Sequence, residues 1–239
     1  MVDIKKEKII GLLGGMGPYA TLDIFKKILD LTPAKKDWEH LRIIIDNNPK
    51  IPSRTRYFLY KEQNPEEELI KTAKNLEKAG ADFIIFGCST AYYWKDKINQ
   101  RINIPIIDMY EESRKYIINK IPDIKKIGLI TADIVYDLRL FDKEFKKSNI
   151  EIIKPDIEDI EKIRKVIEMI KLNKLSPDLI KDLNGVSNTL ILKGAQAILL
   201  GCTELQVIFS EKHLKIPFFD ATDILVKSAI KKTIKKENG

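Results

Sequence analysis

The sequence predicts an α/β protein made of two pseudo-symmetric, Rossmann-like parallel-sheet domains. Short apolar runs alternate with amphipathic segments along the 239 residues, a pattern typical of parallel strands covered by helices. The chain also contains an internal repeat, because GADFIIFGCST at 80–90 returns as GAQAILLGCTE at 194–204. A repeat of this kind indicates two copies of one structural unit.

Two further pairs of segments support the duplication. KIIGLL at 8–13 matches KKIGLI at 125–130, and INIPIID at 102–108 matches LKIPFFD at 214–220. We therefore predict an N-terminal half from residues 1–105 and 213–239, and a C-terminal half from residues 106–212. An active site is expected in the cleft between them.

The order of elements follows from the hydrophobic pattern and from the helix signals. Pro65 and Pro177 suit first helical positions, and Gly80 and Gly194 suit helix ends. Three prolines between residues 49 and 65 predict a long loop. Predicted strands are 9–13, 41–45, 83–86, 127–130, 150–153 and 197–200, and predicted helices are 18–31, 65–79, 136–147, 158–172 and 177–193.

Cys88 and Cys202 are the only two cysteines, and they occupy equivalent positions in the repeat. Each follows a predicted strand, at the edge where open parallel sheets bind ligands. Each also precedes a predicted helix start, which favours a thiolate. Two thiols facing one carbon from opposite sides are the minimal machinery for moving its proton between faces. The structural alternative is that each cysteine is a small buried apolar residue.

Residues 14–18, GGMGP, follow the first strand and open a helix, so their N–H groups can bind an anion. Residues 15–20 also fit the pattern G-x-G-x-x-A, and Asp46 ends the next strand as a possible ribose ligand. This leaves a nicotinamide-binding alternative. The proline inside the motif and the paired cysteines argue against it.

Together these motifs resemble the aspartate/glutamate racemase superfamily, most closely its aspartate racemases. The resemblance implies racemisation of an acidic amino acid, aspartate before glutamate, with no pyridoxal phosphate, other cofactor or metal. It also implies a homodimer. The matching stretches are GLLGGMGPYAT at 11–21, TPAKKDWEH at 32–40, NNPKIPSRT at 47–55, LEKAGADFI at 76–84, CSTA at 88–91, GCTE at 201–204 and IPFFD at 216–220.

The resemblance also implies roles for individual residues. Cys88 and Cys202 match the acid/base thiols, and Arg54 and Lys171 match cations that bind substrate carboxylates. Met16, Thr90 and Thr203 match further substrate-contacting positions. Ser89 and Thr131 take such positions where this chain departs from the family pattern.

The first cysteine motif departs from the family pattern Pro-Cys-Asn-Thr-Ala-His, because this chain reads GCSTAY at 87–92. Ser89 and Tyr92 therefore replace an amide and an imidazole, whereas both thiols remain. We expect altered specificity rather than lost chemistry. A racemase or isomerase of another amino acid or diacid, and a binding protein that has lost turnover, remain as alternatives.

Charge and composition indicate which classes of binding partner the sequence favours. The formal net charge of +7 suits an anionic ligand, whereas the dispersed lysines, with no basic and aromatic stripe, argue against nucleic acid. No stretch approaches the roughly 18 apolar residues of a membrane span. The N-terminus carries no apolar signal segment, so we expect a cytoplasmic protein without membrane contact.

Overall fold

The computed structural model describes residues 7–234, and the chain divides into two compact units. The first unit contains Met1–Asp108 and Leu225–Gly239, and the second contains Met109–Ile224. Each unit has one parallel sheet, so the predicted α/β class with two parallel sheets is confirmed. Within the described residues no helix is long and apolar enough to cross a membrane.

The first unit is built on a sheet with the strand order β2-β1-β3. Strands β1 and β3 are buried along their whole length, as their continuous apolar runs predict. The strands are β1 (Ile10–Gly14), β2 (Ile43–Asn47) and β3 (Phe83–Phe86), and the helices are α1 (Pro18–Leu31), α2 (Arg54–Tyr60), α3 (Glu66–Lys78) and α4 (Lys95–Asn99).

The second unit has a four-stranded parallel sheet in the order β5-β4-β6-β7. Its strands are β4 (Lys126–Ile130), β5 (Glu151–Ile153), β6 (Ala197–Leu200) and β7 (Phe218–Asp220). Its helices are α5 (Met109–Lys120), α6 (Asp133–Asp137), α7 (Leu140–Phe145), α8 (Ile157–Lys171) and α9 (Pro177–Leu192). Helix α10 (Ala221–Ile234) carries the chain back into the first unit.

The sequence repeat corresponds to a repeat of hydrogen bonds. In the first unit Gly87 N donates to Leu13 O at 2.8 Å, and in the second Gly201 N donates to Ile130 O at 2.8 Å. A bridge from Ile84 to Ile106 likewise matches the parallel pairing of β6 with β7. Each unit therefore holds the residue before its cysteine in the same way.

The structure moves the boundaries between the two halves. The sequence predicts residues 213–224 in the N-terminal half, but they belong to the second unit because β7 pairs with β6. Residues 106–108 belong to the first unit, where Ile106 bridges Ile84. Each copy of the I-P-x-x-D motif therefore pairs at the edge of the sheet in its own unit.

Three predictions about helices and loops have different outcomes. The segment 136–147 is not one helix, because Arg139 adopts a left-handed conformation (φ 53°) between α6 and α7. The proline-rich segment is not a loop throughout, since Ser53 caps α2 by accepting a hydrogen bond from Arg56 N at 3.3 Å. The predicted stops at Gly80 and Gly194 are confirmed by φ values of 95° and 93°.

Candidate active site

Both cysteines lie just beyond the carboxyl end of a buried strand. Cys88 follows β3 and is 7% exposed, and Cys202 follows β6 and is 4% exposed. The helices expected to begin after them are short 3-10 turns, Thr90–Trp94 and Leu205–Val207. The turn after Cys202 is too short to have the dipole of a full helix, so it stabilises a thiolate there less than expected.

Cys202 is hydrogen-bonded to a buried carboxylate. Its Sγ donates to Glu204 Oε2 at 3.1 Å, and the Thr203 hydroxyl donates to the same oxygen at 3.3 Å. Lys171 Nζ, at the end of α8, lies 3.7 Å from the other oxygen, Glu204 Oε1. The structure therefore brings two predicted site residues, Lys171 and Thr203, to the carboxylate beside Cys202.

The surroundings of Cys202 disfavour its thiolate. Burial raises the pKa of Cys202 well above its ordinary value, and the negative charge of Glu204 raises this pKa further. Lys171 acts in the opposite direction but contributes less. The expectation of a lowered thiol pKa at this position is therefore wrong, because burial and a like charge outweigh the short turn and the lysine.

Thr131 and Tyr136 hold the strand ends beside Cys202. Thr131 is fully buried, and its hydroxyl donates to Gly201 O at 2.9 Å. The Tyr136 hydroxyl accepts from Thr131 N at 3.0 Å and donates to Leu129 O at 2.8 Å. Burial raises the pKa of Tyr136, so the phenol stays neutral. The Thr131 hydroxyl, predicted to contact substrate, already donates its proton to the backbone.

In the first unit, Arg54 joins two predicted site segments. Its Nη2 donates to Met16 O at 3.1 Å, and its Nη1 donates to Pro52 O at 3.2 Å. Arg54 Nε is buried and has no hydrogen-bond partner within the described residues. A buried donor without a partner is uncommon, so this nitrogen marks a candidate position for an anion.

The residues after Cys88 are also buried. Ser89 and Thr90 are 3% and 5% exposed. The Tyr92 hydroxyl accepts a hydrogen bond from Phe86 N at 3.2 Å, and the two rings lie 4.7 Å apart. Burial raises the pKa of Tyr92 well above its ordinary value. Tyr92 therefore supports the end of β3 as a neutral phenol, unlike the family's histidine.

The nicotinamide-binding alternative loses two of its supports. Gly15 has φ 89°, and a Cβ placed there would lie 2.3 Å from the backbone carbon of Asn48. Because Gly15 has no side chain, the backbone at Asn48 can approach it closely. This packing, and not a pyrophosphate, accounts for the glycine. Asp46, the possible ribose ligand, accepts a hydrogen bond from Asn75 Nδ2 at 3.2 Å.

Comparison with known proteins identifies the family. Residues 13–229 match the family model described as Asp/Glu/hydantoin racemase. The chain belongs to this family. The match includes both cysteine turns and every predicted site residue, and it supports the interpretation of the chain as an amino-acid racemase.

Individual relatives extend over almost the whole chain. The broad specificity amino-acid racemase RacX of Bacillus subtilis (strain 168) is 27% identical over 235 residues, covering 93% of this chain and 96% of that protein. The Picrophilus torridus aspartate racemase structure has a TM-score of 0.85 and 27% identity, covering 96% and 95%. A glutamate racemase from Francisella tularensis subsp. tularensis SCHU S4, in complex with D-glutamate, shares the fold, with a TM-score of 0.66, 18% identity and coverage of 95% and 80%.

Sequence reasoning missed the two side chains that define the surroundings of Cys202. Glu204 belongs to the GCTE segment, but the sequence alone gives it no role, and the sequence places Tyr136 only at the start of a predicted helix. A signal for Glu204 was present, because the first copy of the repeat has Thr90 at the equivalent position. A signal for Tyr136 was absent, since its contacts depend on the tertiary structure.

Proposed function

We propose that the protein racemises an acidic amino acid, aspartate before glutamate, with Cys88 and Cys202 as its two acid/base groups and without a cofactor. One observation carries the proposal: the chain's only two cysteines follow β3 and β6 at equivalent positions of a duplicated racemase fold. Structural cysteines have no reason to be retained as a matched pair where most other repeat positions differ.

The chemistry requires one thiolate and one thiol at the same carbon. The thiolate removes the α-proton from one face while the thiol delivers its own proton to the other face. The intermediate carbanion is stabilised as an enolate-like carboxylate by charged and hydrogen-bonding groups. Ser89 and Thr90 adjoin Cys88 and carry hydroxyls of the required kind, whereas the Thr203 hydroxyl donates to Glu204.

Preference for an acidic substrate is inferred from the cations. Arg54 offers its unpartnered Nε, and charge-assisted hydrogen bonds to a carboxylate are strong. Lys171 contributes a second positive charge beside Glu204. The similarity to an aspartate racemase supports aspartate, whereas the similarity to a broad specificity racemase favours a second candidate, a racemase of other amino acids.

Replacing either thiol tests the two-thiol mechanism. We expect Cys88→Ala and Cys202→Ala each to lower racemisation of aspartate by about 10²–10⁴-fold or more, because each removes one of two proton-transfer groups. Each variant should still exchange the α-proton of one enantiomer with deuterated water, and the two variants should favour opposite enantiomers. Normal racemisation by both single variants would contradict the mechanism.

A substrate panel tests the specificity separately. L- and D-aspartate, glutamate, alanine, lysine and arginine would be incubated with the enzyme and resolved by chiral chromatography. We expect aspartate to be racemised with the highest kcat/KM. A higher value for a neutral or basic amino acid would contradict acidic specificity while leaving the mechanism intact. Calorimetric binding of aspartate without any α-proton exchange would instead indicate a binding protein.

A further inference from the structure

The geometry points to Glu204 as the proton partner of Cys202, a positioning residue that keeps this thiol protonated in the resting enzyme. The inference rests on the proposed two-thiol function and assigns different resting states to the two equivalent cysteines. Cys202 would then be the acid of the pair: the Cys88 thiolate removes the α-proton, and Cys202 delivers its own proton to the opposite face.

The contact between the two side chains is direct and shielded from water. Cys202 Sγ donates to Glu204 Oε2 at 3.1 Å, and Glu204 is only 6% exposed. A thiol donates to a carboxylate only while it carries its proton, so this hydrogen bond selects the neutral thiol. A thiolate at the same place would face a like charge in a poorly solvated site.

The two copies of the repeat differ in charge two residues after the cysteine. Cys88 aligns with Cys202, and Ser89 aligns with Thr203, a replacement of one hydroxyl by another. The next pair is Thr90 and Glu204, where a neutral side chain in one copy corresponds to a carboxylate in the other. The two thiols therefore have chemically different neighbours, which allows one to be the acid while the other is the base.

Among the described residues, two other ionisable groups face Cys202 from neighbouring elements. Lys171, on α8, lies 3.7 Å from the second oxygen of Glu204 and favours the thiolate. Tyr136, on α6, is neutral and donates its hydroxyl proton to Leu129 O. Removing Glu204 and removing Lys171 should therefore change the protonation of Cys202 in opposite directions.

The proposed turnover is balanced, because each proton that leaves one atom is taken up by another. The S–H bond of Cys202 breaks as a new Cα–H bond forms, and the original α-proton passes to the Cys88 thiolate. The products are the inverted amino acid, a Cys88 thiol and a Cys202 thiolate. Beside Glu204 this thiolate is a strong base, so it is suited to catalyse the reverse reaction.

Carbon-13 NMR of the two cysteines tests the inference without using activity. The protein would be labelled at cysteine Cβ, whose chemical shift follows thiol ionisation, and the Cys88→Ser variant would assign the Cys202 signal. We expect Glu204→Gln, which keeps the shape but removes the charge, to raise the Cys202 thiolate fraction at pH 8 about tenfold or more. Lys171→Met should move the midpoint of the Cys202 titration to higher pH.

A matched control is available in the same sheet. Glu151 begins β5 and lies at the amino edge, in register with Lys126, whereas Cys202 lies at the carboxyl edge beyond Leu200. Glu151→Gln removes the same charge, and the Cys202 titration should not move. An unchanged or higher midpoint in Glu204→Gln, with its amide NMR spectrum showing a folded protein, would overturn the inference.

Kinetics separate this inference from the proposed function. In Glu204→Gln the limb of the kcat/KM profile that reports Cys202 should move to lower pH for both enantiomers. For the enantiomer that Cys202 protonates as the acid, this is the alkaline limb. For the enantiomer that Cys202 deprotonates as the base, it is the acidic limb. If the Cys202 titration responds but both cysteine variants racemise normally, only the proposed function fails. If the cysteine variants are inactive but the titration does not respond, only the role of Glu204 fails.

Discussion

At the scale of single residues, Arg54 combines two tasks. Two of its nitrogens hold the carbonyls of Met16 and Pro52, and the third is buried without a partner in the described part of the chain. A planar guanidinium presents its donors in a rigid fork, whereas the three donors of an ammonium rotate freely. Arg54 thus connects the turn after β1 with the start of α2, and its Nε has no partner among the described residues.

We expect Arg54→Lys to raise the KM for aspartate by about tenfold or more, because one charge-assisted hydrogen bond is lost. The KM for alanine, which lacks the side-chain carboxylate, should rise less if Arg54 binds that group. Steady-state kinetics with both amino acids measure this difference. Arg56→Lys is the control, since Arg56 lies on the same helix and pairs at the surface with Glu62. Equal KM values for the Arg54→Lys variant and the unmodified enzyme would refute substrate binding by Arg54.

At the scale of elements, the turn after β6 is placed by close packing. A Cβ at Gly201 would lie 2.6 Å from Phe141 Cε2 and 3.0 Å from Leu129 Cδ1. The absence of a side chain lets this strand end approach α7 and β4, and Cys202 follows directly. In contrast, Gly185 lies in the exposed face of α9, and a Cβ there meets nothing within 4 Å.

These two glycines predict opposite changes in stability within the second unit. Gly201→Ala should lower the free energy of unfolding by about 1–3 kcal/mol, because the added methyl overpacks a filled region. Gly185→Ala should raise it by about 0.5–1 kcal/mol, because alanine favours the helix. Urea unfolding followed by circular dichroism gives both values. A stabilising Gly201→Ala would show that the packing at this strand end is looser than described.

At the scale of the whole molecule, the surplus of positive charge is the property most relevant to an anionic substrate. Lysine and arginine number 42 against 35 aspartate and glutamate residues. Long-range attraction of an anion by such a surface depends on ionic strength, since the Debye length falls from about 30 Å at 0.01 M to about 3 Å at 1 M salt.

We therefore expect kcat/KM for aspartate to fall at least about twofold as sodium chloride rises from low to near-molar concentration. Alanine has no net charge near neutral pH and should show little dependence, so it serves as the control for general effects of salt on the enzyme. The measurement is the initial rate at low substrate concentration. Parallel changes for the two amino acids would mean that the net charge does not contribute to substrate capture.

Local features of the sequence were enough to predict the fold class and the equivalent positions of the two cysteines. Buried strands such as β1 and β3 appear as continuous apolar runs, and the helix stops at Gly80 and Gly194 follow from the one residue that readily takes positive φ. The repeat identified both cysteines as equivalent. These inferences succeeded because periodicity, glycine conformations and self-similarity are properties of neighbouring residues or of direct sequence comparison.

Only the tertiary structure decided the surroundings of Cys202. Lys171 meets Glu204 because α8 packs against the turn after β6, a contact between segments distant in the chain. The left-handed Arg139 and the pairing of β7 with β6 likewise depend on how elements pack. The pKa of a thiol depends on burial and on charges brought near it in space, and sequence distance determines neither.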